Sequence, residues 1–420
     1  MAVDPLIFAR AVHFAATILA SGTVAFLVLV AQPAAITKMR AGFADLRRRL
    51  VILVWVALGA AIASGAIWLV LLASEILGVS IADVCLHGGA WPVIADTRFG
   101  LIWCMRLGLA VLLGLLVARA SFRKIQLAVA AALAALPALI GHAGAAPGLA
   151  GNFHLASDMT HLLAAAGWLG SLPALVIVLA RARRAQQPEW NDFAIVVTRR
   201  FSVLGMFTVG ALLATGITNS CNLLSGPRDL MTTDYGQLVA LKIGLFVSMV
   251  VIAAVNRLYL TSRLPDATAS LALQCNGLAE IVLGLCVVLL VGALGTLPPA
   301  AHVHPVAAGI PQGASFAHIH DVDAMADVTV DPGRPGRVNV TVRVSREDFS
   351  RFPAKDVRLT LEPPASGSQP AKESMTEQAD GTWQANSIEL SQAGVWTVRV
   401  VVTTRQGKSI VLDAPIVIER

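Results

Sequence analysis

Charge is scarce in this 420-residue chain: Asp, Glu, Lys and Arg make up 14% of it and hydrophobic residues 56%, where an ordinary soluble domain carries about a quarter charged residues. That balance excludes a purely soluble globular protein. Cysteine is scarce as well. Five in 420 residues, none of them in a C-x-x-C, are too few for a disulfide scaffold. Neither G-x-x-x-x-G-K-[ST], G-x-S-x-G nor H-E-x-x-H occurs, so ATP-driven pumping and hydrolysis have no support and the chain is not expected to be an enzyme. No repeat of about 20 to 50 residues marks a solenoid. The formal net charge of +6 would suggest nucleic acid in a soluble protein. Here Lys and Arg cluster in short loops between apolar runs, which points to a lipid bilayer instead.

Those apolar runs are confined to the first 300 positions. A helix crossing about 30 Å of hydrocarbon needs about 20 mostly apolar residues. Eight segments qualify, at 6–31, 50–73, 98–119, 125–141, 154–180, 199–222, 236–258 and 274–297. The fourth is short and contains Pro137, yet without it the flanking loops fall on inconsistent sides of the membrane. Basic loops stay in the cytoplasm. Lys38, Arg40 and Arg47 to Arg49 follow the first span; Arg119, Arg123 and Lys124 the third; Arg181, Arg183, Arg184, Arg199 and Arg200 the fifth; Arg257 and Arg263 the seventh. The alternate loops carry Glu75, Asp83 and Asp96, then no Asp, Glu, Lys or Arg, then Arg228 against Asp229 and Asp234. The alternation predicts both termini outward. The first run is long enough to remain a helix rather than a cleaved signal peptide.

Past residue 300 the composition changes. A Pro-, Ala- and His-rich stretch, Pro298 to Gln312, leads into alternating runs such as Val338, Val340, Val342 and Val344 set against Asn339, Thr341 and Arg343. Period-two alternation marks half-buried strands. About seven of them, separated by turn signals such as Asp331-Pro332-Gly333, Asp380-Gly381 and Gln406-Gly407, predict an antiparallel immunoglobulin-like sandwich of roughly 100 residues, with Trp383 and Trp396 as core or edge aromatics. The expected fold class is thus an all-α polytopic membrane bundle of eight transmembrane helices (1–298), a linker (299–317) and an all-β sandwich (318–420).

All nine histidines fall on the outward side of this topology. His13 lies about two turns into the first helix, His87 in the acidic outer loop, His142 at the end of the fourth helix, His154 and His161 at the start of the fifth, and His302, His304, His318 and His320 after the last. The sharpest group is His154, Asp158 and His161, whose i, i+4, i+7 spacing shares one helix face. Met159 is offset by about 100°. Ionisable groups in a span are costly and usually face an aqueous cavity or a partner in the bundle. Imidazole suits copper and zinc, and thioether selects Cu(I). His302-Val-His304 and His318-Ile-His320, with Met325 close behind, repeat the soft nitrogen-plus-sulfur set, and histidines at i and i+2 project to one side of a strand. The competing readings are a helix-start pair for His154 and Asp158, a hydrogen-bonded packing element for His13, and solvated linker histidines for the tail.

Other polar residues in the spans invite paired readings. Arg106 either balances Asp158 or an anion, or snorkels outward; Lys242 has the same two readings; Glu280 pairs with a basic inner-loop residue or another helix. Cys85 and Cys221 share the outer face, as a disulfide or as separate soft ligands. Cys104 and Cys286 read as buried small apolar residues. In the fifth helix, Gly167, Gly170 and Ser171 form a small-residue stripe that lets helices approach closely, and Pro173 should kink the helix and free a carbonyl that needs another partner.

The run His161-Leu-Leu-Ala-Ala-Ala-Gly-Trp168-Leu-Gly170, then Arg200-Phe201-Ser202, Thr215-Gly216, Tyr235-Gly236-Gln-Leu238 with Lys242, and Asn256-Arg257, together with Thr97-Arg-Phe99-Gly100 and Arg106, resembles the copper resistance D family of bacterial inner-membrane proteins. His318-Ile-His320-Asp-Val-Asp-Ala-Met325-Ala-Asp327 followed by strands resembles the YtkA-like or CopC-like domain fused behind it in some members. The resemblance implies copper homeostasis: copper bound at the periplasmic face and moved into or across the inner membrane, with the copper ion, the bilayer and a periplasmic copper chaperone as partners and no nucleic acid. One departure is that no His follows His320, so any copper site of the sandwich must use its amino-terminal edge. The metal ligands expected are His13, His154, Asp158, Met159, His161, His302, His304, His318, His320 and Met325. Two rival readings are a b-type haem electron-transfer protein using His13, His142, His154 or His161, and a non-transporting copper-binding accessory or sensor.

Overall fold

A computed structural model describes residues 4–38, 42–77, 79–86, 88–119, 121–140, 148–224, 226–297, 310–311, 313–320, 324–346, 350–363, 370–405 and 407–418. His87, His142, His302 and His304 lie outside the described residues. The chain divides into two compact units, Met1–Ala301 and His302–Arg420.

The first unit is helical. Its long elements are α1 (Pro5–Ala25, prolonged by a π-helical turn, Phe26–Ala31, and Gln32–Lys38), α2 (Phe43–Leu77), α3 (Arg98–Val117), α4 (Arg123–Ala135), α5 (Gly148–Trp168), α6 (Leu172–Ala185), α7 (Pro188–Leu223), α8 (Asp234–Val255) and α9 (Ala267–Leu294). Several helix starts are explicit in the sequence. Asp4, ahead of Pro5, accepts from the Leu6 amide at 2.8 Å; Thr97 accepts from Gly100 at 3.0 Å; Thr233 accepts from Gly236 at 2.9 Å. Each satisfies one of the amides that a first helical turn leaves open. Asp266 caps α9 in the same way, and hydrogen bonds from the Thr268 hydroxyl and amide hold its carboxyl below the ordinary range.

Among the described residues seven helices, not eight, are long and apolar enough to cross a membrane. The difference lies at the expected fourth span. There α4 runs only from Arg123 to Ala135 and ends in one 3-10 turn, Leu136–Leu139, containing Pro137. Rises of about 1.5 Å and 2.0 Å per residue give it about 27 Å, short of the ~30 Å of hydrocarbon. It is nonetheless part of the bundle: Val129, Ala130 and Leu133 are buried with Val24 of α1, Leu58 of α2 and Leu113 of α3. Gln126 donates to the carbonyls of Leu116 and Arg119 at 2.8 and 2.7 Å, closing the end of α3.

The small-residue stripe works as expected. Gly170 packs backbone to backbone on α1: a Cβ there would meet the carbonyl oxygen of Ile18, and one at Gly22 would meet Ala166 and Gly170. Ser171 donates to the Gly22 carbonyl at 2.9 Å across the same crossing. Between α5 and α6 the chain makes one 3-10 turn, Leu169–Ser171. Pro173 therefore sits in the first turn of α6, where its missing N–H costs nothing. The Leu169 carbonyl that Pro173 leaves open accepts from the amide of Leu172. Cys104 and Cys286, expected inside, are exposed on the outside of the bundle, and all five cysteines are free thiols, Cys85 and Cys221 among them. A thiol is apolar enough for a lipid-facing position as well as a buried one.

The second unit contains nine strands among the described residues, not seven. They form two antiparallel sheets, ordered β1-β2-β3-β7-β6 and β5-β4-β8-β9. The strands are β1 (Ser315–His320), β2 (Met325–Asp331), β3 (Gly336–Ser345), β4 (Ala354–Glu362), β5 (Ala371–Ser374), β6 (Thr376–Glu377), β7 (Trp383–Leu390), β8 (Gly394–Thr404) and β9 (Ser409–Ile418). The two extra strands are the short β5 and β6, too brief for alternation to reveal. Val338, Val340, Val342 and Val344 face Val398, Val400 and Val402 in one core cluster that also takes in Trp383 and Trp396. The Trp396 indole donates to the Gln392 carbonyl at 3.0 Å, as a buried Trp requires.

Candidate functional site

His161 lies two turns before the break that ends α5. Its Nδ1 is 2.9 Å from the Thr215 hydroxyl on α7, and that hydroxyl is 2.6 Å from the Ala211 carbonyl. A carbonyl only accepts, so Thr215 gives it the hydroxyl proton and takes the Nδ1 proton of His161 on its oxygen. This relay sets the tautomer: Nε2 carries the lone pair, the form in which imidazole ligates a metal. His161 lines a cavity of about 430 Å³ formed by α5, α7, α8 and α9, with Asn219, Ser220, Cys221, Tyr235, Lys242 and Met249 among its other polar or soft groups. One helical turn above His161, Asp158 accepts from the Asn219 amide at 2.7 Å, and Asn219 in turn accepts from Ser157 at 2.9 Å. Lys242 is near enough for its charge to act on both Asp158 and His161. The cavity thus joins an imidazole, a thiol and the Lys242 ammonium in a mostly apolar wall, with the Asp158 carboxylate one turn above His161 and outside its lining.

The structure does not gather the predicted ligands at one point. Among the described residues no three His, Cys, Asp or Glu side chains converge where a metal ion would sit. Spacing explains this: at 1.5 Å per residue, i to i+7 spreads His154, Asp158 and His161 over about 10 Å of helix, along a groove rather than around an ion. His154 and Met159 are half-buried and neither lines the cavity. Sequence spacing singled out His161 and Asp158 and missed Asn219, while Thr215 and Tyr235 stood only in the motifs of the resemblance, without a role; the signal lay in the hydroxyl and amide side chains that α7 turns toward α5 and in the phenol at the start of α8.

His13 occupies a different place. It is 6% exposed, with Nδ1 2.8 Å from the Ala61 carbonyl and its ring edge-on to Trp68 at 5.5 Å. It shares a recess of about 30 Å³ with Arg106. Arg106 is buried and donates to Thr17 at 3.2 Å, so it neither snorkels outward nor reaches across to α5. A guanidinium beside the imidazole and the small volume both disfavour an added cation. His13 and His161 line separate cavities and do not face each other as a haem's axial pair would.

In the second unit the register places the tail residues together. Antiparallel pairing of β1 with β2 sets His318 opposite Asp327 and His320 opposite Met325. Ala317 and Ile319 turn into the core, which puts His318 on the other face of β1. His318 Nδ1 is 2.6 Å from the Asp327 carboxylate, which is nearly buried. A carboxylate on one ring nitrogen orients the imidazole and makes its other nitrogen a better ligand. β1 is the end strand of its sheet.

Residues 195–294 match the family described as Copper resistance protein D, and residues 1–152 match the Copper resistance protein D-like, N-terminal domain. Copper transport protein CutJ of Bacillus subtilis is 28% identical over 252 residues, 58% of this chain and 43% of that protein. The chain therefore spans less than half of the Bacillus protein's length. Inner membrane protein YebZ of Escherichia coli is 32% identical over 231 residues, 53% of this chain and 77% of that protein. Copper resistance protein D of Pseudomonas syringae pv. tomato is 29% identical over 231 residues, 49% of this chain and 71% of that protein. No solved structure matches.

Proposed function

Because the chain belongs to the copper resistance D family, we propose that it is a copper transport protein of the bacterial inner membrane, binding copper at the periplasmic face and passing it into the bundle through the His161 cavity. The observation that carries this reading is the His161–Thr215–Ala211 relay, which leaves the Nε2 lone pair on a residue lining a large intramembrane cavity. Cys221 supplies a soft sulfur on the same wall. The Asp158 and Lys242 pair lets a cation enter without leaving a net negative charge in the span afterwards. The basic loops support an arrangement with the His161 end outward and, with the short α4 counted as a crossing, both termini periplasmic. Few and weak ligands suit an ion that must leave again.

On this reading the tail captures copper before the bundle does. His318, His320 and Met325 are its ligands, and Asp327 acts through His318. Asp327→Asn should lower the tail's copper affinity about tenfold while leaving the sheets intact, the usual effect of removing a carboxylate that orients a ligating histidine. Equilibrium copper titration of the full chain checks it, and an unchanged affinity would remove Asp327 from the site.

The transport reading itself is tested by cellular copper content. Cells making the wild-type chain should accumulate copper above cells making His161→Ala, and His318→Ala/His320→Ala should weaken accumulation at low external copper only. Equal copper in all three rejects transport through these residues.

A further inference from the structure

The recess beside His13 lies among α1, α2 and α3, apart from the His161 cavity. His13 and Thr17 reach it from consecutive turns of α1, Ala61 and Gly65 from consecutive turns of α2, and Trp103 and Arg106 from α3. Arg106 is 5% exposed and donates to the Thr17 hydroxyl at 3.2 Å.

A guanidinium is always charged and carries five N–H donors. Among the described residues Thr17 is the one group that accepts from Arg106, and Nε is buried with no acceptor. No carboxylate answers the charge either. Asp158 acts on Lys242 and Tyr235, and among the described residues no acidic group acts on Arg106. Ionisable groups inside a span ordinarily pair with one another or face an aqueous cavity, and a buried donor without an acceptor is costly. Outward snorkelling and pairing with Asp158 both fail for Arg106, so of the partners its place in the sequence allowed, an anion is the one left.

The other walls decide which groups would hold that anion. His13 Nδ1 faces the Ala61 carbonyl, which only accepts, so the ring proton is engaged there. The Trp103 indole gives its proton to the Gly65 carbonyl at 3.0 Å. Thr17 takes the Arg106 proton on its oxygen and keeps its own hydroxyl proton to give. The donors available at the recess are therefore the Arg106 N–H groups and the Thr17 O–H, held side by side by their own contact. The recess measures about 30 Å³, and one water needs about 10–15 Å³ of such space. It has room for a single halide and excludes a bulkier oxyanion.

We propose that this recess is a buried halide site, with chloride as its ion, held by the Arg106 guanidinium and the Thr17 hydroxyl. A guanidinium is weakly hydrated for a cation, which suits a water-poor site. The bound ion makes Arg106 half of a neutral pair inside α1, α2 and α3, and stabilises the folded chain according to its occupancy. The site is independent of the copper reading, which concerns the His161 cavity.

Equilibrium dialysis of the full chain in nanodiscs of zwitterionic lipid, against radioactive chloride with gluconate as the balancing anion, tests it. Wild type should bind one chloride per chain saturably; bromide should displace it, and sulfate at equal ionic strength should not. Arg106→Gln should bind none. Thr17→Val keeps the guanidinium and the side-chain shape, removes one hydroxyl, and should weaken chloride about tenfold, roughly the effect of one polar contact to an ion. The thermal midpoint of wild type should rise as chloride replaces gluconate, and that of Arg106→Gln should not. Wild type without saturable chloride would mean that water fills the recess, and overturns the proposal. So does equal chloride binding by wild type and Arg106→Gln, or displacement by sulfate as effective as by bromide. If Arg106→Gln does not fold, Thr17→Val decides the location, because an unchanged chloride affinity there would put the ion elsewhere.

Discussion

Gly170→Val is expected to abolish the folded bundle. At that position α1 and the turn after α5 meet through backbone on both sides: a side chain on Gly170 would collide with the Ile18 carbonyl, and one on Gly22 with Ala166 and Gly170. Neither obstacle is the end of a flexible side chain that could move aside. Overpacking commonly costs about 1–3 kcal/mol, and a clash of backbone against backbone belongs at or above the top of that range. The Ser171 to Gly22 hydrogen bond would be lost with it. Gly205→Ala and Gly210→Ala are the controls, because nothing lies within 4 Å of a Cβ added at either. They should fold normally and gain up to about 1 kcal/mol in helix propensity. Size-exclusion profiles and thermal midpoints of the three variants check this. A Gly170→Val protein that elutes and melts like wild type would refute the crossing.

His161→Ala is expected to lower the affinity of the copper ion in the His161 cavity by about 100-fold, and Thr215→Val by about tenfold. The first removes the imidazole. The second keeps it but leaves Nδ1–H without its acceptor, so the ring can turn and exchange tautomers. Losing a group that orients a ligand costs about 10- to 100-fold, and losing the ligand should cost no less than the upper figure. Competition titration with a Cu(I) chelator gives both values. The ordering matters more than the magnitudes: a Thr215→Val effect equal to that of His161→Ala would mean that Thr215 itself holds the ion, and no effect from Thr215→Val would mean that the relay does not set the ring.

Much of this was legible in the chain itself. Apolar run length and loop charge located the spans, because both follow from hydrocarbon thickness and the cost of burying charge. The tail strands were readable from alternating valines, since a strand with one buried face must alternate. Gly170 was readable as a close-approach position, but only the structure shows that its partner is Gly22, 148 positions away. The length of α4 was not readable, because Pro137 is compatible with a kink or an end and neighbouring helices decide which.

The site was legible in part. His161 and Asp158 stood out as costly groups in a span. A shared helix face sets a column of groups along the helix, and 1.5 Å per residue keeps its three members from meeting at one ion. The partners that make His161 chemically specific, Thr215 and the Ala211 carbonyl, sit on α7; Thr215 is one of four threonines in that helix, and only the packing shows which of them meets His161. Glu280 was visible as an anomaly, but its neutral partners, Trp168 and Asn256, come from α5 and the end of α8, at long separation in sequence. His318 and Asp327 were both quoted from one segment, and pairing them needed the register of a two-strand edge.

Copper uptake into sealed vesicles reconstituted with the purified full chain tests the central claim most directly. Wild-type vesicles should accumulate the ion well above protein-free vesicles, His161→Ala vesicles should stay near the protein-free level, and Gly205→Ala vesicles should match wild type. Equal initial rates for wild type and His161→Ala, with both proteins folded, would contradict the account.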